Sequence, residues 1–412
     1  MRLLMHGINY APEVVGIGRY TGELGSWLAA RGHAVTVLTA PPYYPQWRVP
    51  AAYRRPAWRR EWLDGVEVLR APLYAPSHLN GKTRVLHELS FGAACLYWWP
   101  ELWGRRWDAV LAVCPLLQSG IIPAWLARRR RIPLVLHFQD LQIDAARELG
   151  IIRQPLLLAG AARLERLLLK QAAAVTTISQ AMAARLGEKG VEAARLKVLP
   201  NWADLESIYP GQGDNGFHRK IGLENETVVL YAGNLGEKQG LETVLEAAAL
   251  TRANQKIRYL LAGDGAARAR LEQQARNLGL ENVQFLPIQP ASRFPALLAV
   301  GDIHLVVQRK GAADLVMPSK LGNILAAGRP FVATASPESE LGRVTLASKA
   351  GVLAPPEDGA ALARAIRQLT EAPEACRAMG RNGRRYAEAH LSREEVLGQW
   401  EQLLTGLVQR SG

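Results

Sequence analysis

Cysteine is scarce: Cys95, Cys114 and Cys376 are the three in a chain of 412 residues, and they have neither metal-ligand spacing nor the even number of a disulfide framework. A reducing compartment is the expectation. No segment reaches the ~20 apolar residues of a bilayer-spanning helix. The nearest, Leu89 to Pro100, LSFGAACLYWWP, passes straight into Glu101. The opening MRLLMHGINYAPE reads as a strand followed by a Gly/Pro loop rather than a cleaved leader, so a cytoplasmic location is expected. No short-period repeat of the solenoid type is present, and no nucleic-acid module accompanies the excess of basic residues.

What is present suits a large globular protein. The length exceeds the usual limit of one hydrophobic core, so two domains are expected, and 49% apolar with 21% charged residues is ample for burial. Charge is uneven. Residues 1–200 hold 26 Lys/Arg against 14 Asp/Glu, whereas residues 201–412 hold 24 against 23. The first half also carries nine of the eleven tryptophans. Indole rings sit at a membrane interface while Lys and Arg meet lipid phosphate. Trp58-Arg59-Arg60 with Trp62, and Trp103 and Trp107 around Arg105-Arg106, therefore point to contact with an anionic membrane surface, and nucleic acid is not expected as a partner.

Apolar strands alternate with helical segments along the chain. Leu3 to Met5, Ala34 to Thr39, Val66 to Leu69, Ala109 to Val113, Leu134 to Phe138 and Ala174 to Ile178 form one series. Val228 to Ala232, Ile257 to Ala262, Val283 to Leu286, Ile303 to Val307, Phe331 to Thr334 and Gly351 to Leu353 form a second. Such a rhythm predicts an α/β fold of two tandem Rossmann-like domains with parallel sheets, whose ligands sit beyond the carboxyl ends of the strands and in the cleft between domains. The expected boundaries are residues 1–200, a turn-rich linker at 201–214, a second domain at 215–383 and a C-terminal helix within 384–412, running from about Arg384 to Leu407 and able to pack on the first domain.

The stretch RKGAADLVMPSKLGNILAAGRP, Arg309 to Pro330, reads as a polar segment entering a short helix. Pro318 and Ser319 supply N-terminal punctuation and Gly328 a stop, so unpaired N–H groups and Lys320 would suit a phosphate. After the first strand come Gly16, Gly18 and Arg19. With Gly22 they give G-x-G-x-x-x-G, the wrong spacing for a nicotinamide dinucleotide. His137 and Asp140 follow the fifth strand of the first series, at the end where ligands gather, with Asp144 four residues beyond Asp140. Gly233-Asn234 and Lys238-Gln239-Gly240 follow the first strand of the second series. Lys238 there could neutralise a diphosphate leaving group. Gly263-Asp264-Gly265 reads as a turn.

The ordered series GIGRY, HFQD, TTIS with VLPNWAD, YAGNLGEKQGLE, LLAGDG and MPSKLGNILAAGRP, closing on GVLAPPEDGAALARAI, resembles the GT-B glycosyltransferases of the large retaining group called family 4. The likeness runs to about residue 385, and is nearest to bacterial exopolysaccharide enzymes of the colanic acid fucosyltransferase type. It implies transfer of a sugar, L-fucose from its guanosine diphosphate in the nearest likeness, onto a lipid-linked saccharide. The anomeric configuration would be retained, without a metal or other cofactor. No Asp-x-Asp stands near the cleft segments. His137 would be the sugar-facing histidine, and Asp140 would orient it or bind a sugar hydroxyl. Gly16 and Gly18 would lie near the diphosphate.

The departures from that pattern are specific. Asn234 stands where the family commonly has Arg, and Gln239 occupies its lysine position. Asn323 replaces the second of two glutamates eight residues apart, with Leu315 at the first position and Asp314 one before it. Charge on the diphosphate must then come from Lys238, Arg309, Lys310, Lys320 or Arg19. A nucleotide-sugar epimerase of the same architecture, or a non-catalytic nucleotide-sugar-binding protein, are the alternatives. Base, sugar, linkage and oligomeric state are not legible.

Overall fold

A computed structural model describes residues 1–14, 16–76, 81–114, 118–141, 143–144, 155–211, 216–223, 225–310 and 318–411. The chain divides into two compact units, Met1–Pro200 with Leu397–Gly412, and Asn201–Val396.

In the first unit the strands are β1 (Arg2–His6), β2 (Ala34–Thr39), β3 (Arg59–Leu63), β4 (Val66–Arg70), β5 (Ala109–Cys114), β6 (Leu134–Phe138), β7 (Ala174–Thr177) and β8 (Leu196–Val198). They form one sheet in the order β3-β4-β2-β1-β5-β6-β7-β8. Neighbours are parallel except for the antiparallel pair β3 and β4. Leu3, Leu4, Val37, Leu38, Val110 and Leu136 are buried, as expected of parallel strands covered on both faces. β3 and β8 were not anticipated. RREWL and LKV are short, polar edge strands that bury only part of each residue, so they lack the continuous apolar run that marks the others.

The second unit holds β9 (Thr227–Ala232), β10 (Ile257–Ala262), β11 (Val283–Leu286), β12 (Ile303–Val306), β13 (Phe331–Thr334) and β14 (Gly351–Ala354). Their order is β11-β10-β9-β12-β13-β14, parallel throughout. Both units are thus Rossmann-like. Strand order reverses between β1 and β5 in one sheet and between β9 and β12 in the other, and such a reversal opens a crevice beyond the strand ends.

Two expected boundaries differ. Residues 201–210 do not run free as a linker: Trp202, Ala203 and Ile208 are buried in the second unit. The Ala203 N–H bonds Leu391 O at 2.9 Å, and Arg384 donates to Leu205 O and Ile208 O. Residues 212–215 lie outside the described set. The single C-terminal helix is in fact two, Pro373–His390 and Arg393–Ser411. The break falls where Ser392 bridges to Ala203. From Leu397 onward the last helix belongs to the first unit. There Glu401 bonds His33 at 2.8 Å and Arg31 at 2.7 Å, and Trp400 is buried.

Candidate active site

Three loops meet at the switch point of the second sheet, beyond β9, β10 and β12. Those after β9 and β10 are stitched backbone to backbone: Gly233 N–H donates to Ala262 O at 2.9 Å and Leu235 N–H to Asp264 O at 2.8 Å. The approach is possible because Gly263, at φ +149°, has no side chain. A Cβ there would stand 1.8 Å from the Gly233 carbonyl oxygen. A turn was expected at Gly263-Asp264-Gly265, and the structure gives the glycine a definite steric role. The Tyr231 hydroxyl donates to Asn234 O at 2.7 Å and fixes the β9 loop from below.

Lys320 opens the helix Lys320–Ala326, but Ser319 does not cap it. Capping requires extended backbone, as at Ser179, Ser339 and Asp358, whose side chains accept from Met182, Gly342 and Ala361 N–H groups. Ser319 has φ −57° and ψ −23°, already helical, and its side chain makes no capping bond. The Leu321 N–H donates to Pro318 O instead. At this helix start the Leu321 N–H is thus already paired, and Lys320 is the charged group that the helix brings. Among the described residues the Lys320 nitrogen is buried without a hydrogen-bond partner, and so is Gln239 Oε1. Buried polar atoms are normally satisfied. These two offer a donor suited to a phosphate oxygen and an acceptor suited to a hydroxyl.

Other expected cations are placed differently. Arg309 lies across the β9 loop: its N–H bonds Lys238 O at 3.1 Å, Nε bonds Glu237 O at 2.7 Å, and the guanidinium reaches Glu242 at 3.2 Å. It braces the loop. Arg270 holds Glu242 and Glu237 from the other side, at 2.5 and 2.8 Å. Lys238 is exposed on the short turn Glu237–Gln239, Lys310 is exposed beyond β12, and Asn323 is half-buried on the helix after Lys320. Asp314 and Leu315 lie outside the described residues.

In the first unit the loop after β1 is built on a carboxylate the sequence reading missed. Glu13 is buried and accepts from the Tyr43 and Tyr44 N–H groups, each at 3.0 Å, and from Asn9 at 2.9 Å. Burial raises its carboxyl above the usual range in spite of those bonds. Gly18 is packed on it, since a Cβ would come within 2.4 Å of Glu13 Oε2. A Cβ on Gly16 would face the Tyr44 ring at 3.3 Å. Arg19 is paired with Glu23 at 2.7 Å. Arg70, 1% exposed, donates to Ala11 O, Ala40 O and Glu61, clamping the loops that follow β1 and β2.

His137 is buried within β6, with Nδ1 2.9 Å from Thr176 Oγ1 and its ring edge-on to Trp400 at 4.9 Å. Burial pushes the imidazole down to about 3, so it is neutral. Asp140 is half-buried just beyond the strand. Asp144 does not join it: Lys189 binds Asp144 at 2.5 Å and Glu165 at 2.8 Å in a buried ion cluster. Among the described residues no three His, Cys, Asp or Glu side chains are grouped to hold a metal.

Two Rossmann-like units with glycine loops gathered at their switch points have the architecture of a GT-B glycosyltransferase. Residues 15–202 match the family described as Glycosyl transferase 4-like domain, and residues 215–386 match Glycosyl transferases group 1. The chain belongs to the GT-B glycosyltransferases. It is 41% identical over 410 residues to WcaI of Escherichia coli (strain K12), a glycosyl transferase assigned to colanic acid biosynthesis, covering 97% of this chain and 98% of that one. Solved structures share the fold. Sucrose-phosphate synthase from Thermosynechococcus elongatus superposes with a TM-score of 0.73 at 19% identity, over 99% of each chain. Anabaena Alr3699/HepE in complex with UDP-glucose gives 0.70 at 18% identity, over 98% of this chain and 100% of that one.

Proposed function

We propose that the protein transfers a sugar from a nucleoside diphosphate donor to a lipid-linked saccharide during assembly of an exopolysaccharide of the colanic acid type. The full-length identity to WcaI carries the pathway. L-Fucose from guanosine diphosphate fucose is the donor to test first. The donor diphosphate would lie over Gly233 and Asn234, near Gln239, Pro318, Ser319 and Asn323, with Lys320 and Lys238 supplying charge in place of a metal, and transfer would retain the anomeric configuration. Supporting this placement are the bare backbone at the switch point and the two orphaned polar atoms there. In the first unit, Gly16, Gly18 and Arg19 would lie near the diphosphate and the acceptor, and His137 would face the sugar. Thermal shift with guanosine, uridine and adenosine diphosphate sugars tests the donor site: one of them should raise the melting temperature, and no response to any would refute it.

The acceptor reading includes a cytoplasmic protein bound peripherally to the inner face of the cell membrane. No described helix is long and apolar enough to cross a bilayer. The first unit instead exposes Trp62, Leu89, Leu96, Tyr97 and Trp125. Trp125 stacks on Trp103 at 4.3 Å, Arg129 and Arg130 lie over these two rings, and Arg128 follows on the same helix end. Aromatic rings beside unneutralised arginines fit an anionic headgroup layer. Replacing Arg128 and Arg129 by Ala should weaken flotation with anionic liposomes about thirtyfold, at ~1 kcal/mol for each charge near the surface. Equal flotation with neutral and anionic vesicles would sink the idea.

A further inference from the structure

The lysine at the second switch point is held in an unusual way. Its nitrogen lies 3.5 Å from the centroid of the Tyr231 ring, buried and, among the described residues, without a hydrogen-bonding partner. The residue it faces across the strand end is Gly233, where a Cβ would come within 3.2 Å of that nitrogen. The ring face is attractive to a cation but gives it no hydrogen bond and no countercharge. An ammonium so placed is poorly solvated, and its natural complement is an anion arriving over the bare glycine.

We infer that Lys320 is a reserve cation for the donor: its nitrogen rests on the Tyr231 ring until a diphosphate arriving over Gly233 draws it off as the ammonium ion, so that nucleotide-sugar binding takes up a proton from solvent. This rests on the donor reading above and adds to it a titrating group and a holding residue. Tyr231 acts as a positioning residue, its hydroxyl anchored on Asn234 O at 2.7 Å.

The electrostatics agree with the geometry. Burial pushes the Lys320 amine down to about 7. A doubly charged diphosphate beside it would raise that value again. Above about pH 7 the free site therefore holds mostly neutral amine and the bound site ammonium, and binding consumes a proton; well below pH 7 both forms are charged and none is consumed. Affinity should accordingly fall as pH rises.

The surrounding charged groups do not replace this partner. On the β9 loop, Glu237 is bonded to Arg270, and on the helix after it Glu242 is bonded to Arg270 and Arg309. Lys238 and Lys310 are exposed cations. Beyond β10, Asp264 accepts from the Gly265 N–H at 2.8 Å. On the helix Pro373–His390, packed along Lys320–Ala326, Arg384 donates to Ala326 O and pairs with Glu388. Burial raises the Tyr231 phenol, which stays protonated. Asp314 lies outside the described residues.

Calorimetric titration of the whole chain with guanosine, uridine and adenosine diphosphate sugars, in buffers of different ionisation enthalpy, reads the proton directly. The diphosphate of such a sugar does not itself titrate in this range. The expected result is uptake of about one proton per sugar nucleotide bound near pH 8.5 and close to none near pH 6. Lys320→Met should abolish the uptake and weaken binding at least tenfold near pH 6, whereas Lys320→Arg should bind without uptake and without the pH dependence. Tyr231→Phe keeps the ring and should keep the uptake. Binding with no uptake near pH 8.5, or uptake that persists in Lys320→Met, overturns the inference and leaves the donor site standing. Failure of all three sugars to bind the natural sequence overturns both.

Discussion

Gly263→Ala is expected to unfold the loops proposed to hold the donor rather than merely weaken them. The new methyl would stand 1.8 Å from the Gly233 carbonyl oxygen, a contact with backbone that no rotamer can relieve. The β9 and β10 loops must separate by more than an ångström, which breaks the Gly233 to Ala262 and Leu235 to Asp264 hydrogen bonds. The φ of +149° adds its own strain for any residue with a Cβ. Together these should cost about 3 kcal/mol or more. In a unit of this size that lowers the melting temperature by roughly 6 to 12 °C, and transfer should be lost with it. A Gly263→Ala protein melting within a degree or two of the parent and binding donor normally would show that the loops do not depend on this approach.

Arg70→Leu is the corresponding experiment on the first unit. The guanidinium is buried and satisfies two backbone carbonyls, Ala11 O at 2.7 Å and Ala40 O at 2.8 Å, together with Glu61 at 2.5 Å. Removing it strands a partly buried carboxylate and two acceptors, at about 3 kcal/mol. The Ala11 loop leads into Glu13, Gly16 and Gly18, so transfer should fall at least tenfold. Donor binding, proposed to rest mainly on Gly233, Lys238 and Lys320 of the other unit, should change little. Arg70→Lys should recover only part, because an ammonium cannot span three partners fixed by a planar fork. Loss of donor binding in Arg70→Leu would contradict the assignment of roles to the two units.

The two sheets were legible because parallel strands buried on both faces are nearly continuous apolar runs, as in β2, β6, β9 and β13. β3 and β8 escaped because RREWL and LKV are short and charge-bearing, with no apolar run to mark them. Glycines after β9 and β10 were visible as punctuation, but that Gly263 lies against Gly233 depends on sheet order. A serine before a helix suggests a cap, and whether it is one depends on backbone angles that no local pattern records. Tyr231, Glu13 and Arg70 were missed because each acts through partners distant in sequence. Nothing in a buried strand tyrosine announces that a lysine from another element will rest on its ring.

Transfer of sugar from nucleotide to acceptor is tested most directly by one assay. Purified protein is incubated with guanosine, uridine or adenosine diphosphate sugars, with and without lipid-linked saccharide extracted from an exopolysaccharide-producing strain. Nucleoside diphosphate release is measured alongside label in the lipid fraction. Release that requires the acceptor and matches the label transferred is the predicted result; release independent of acceptor, or none with any of the three donors, would contradict it.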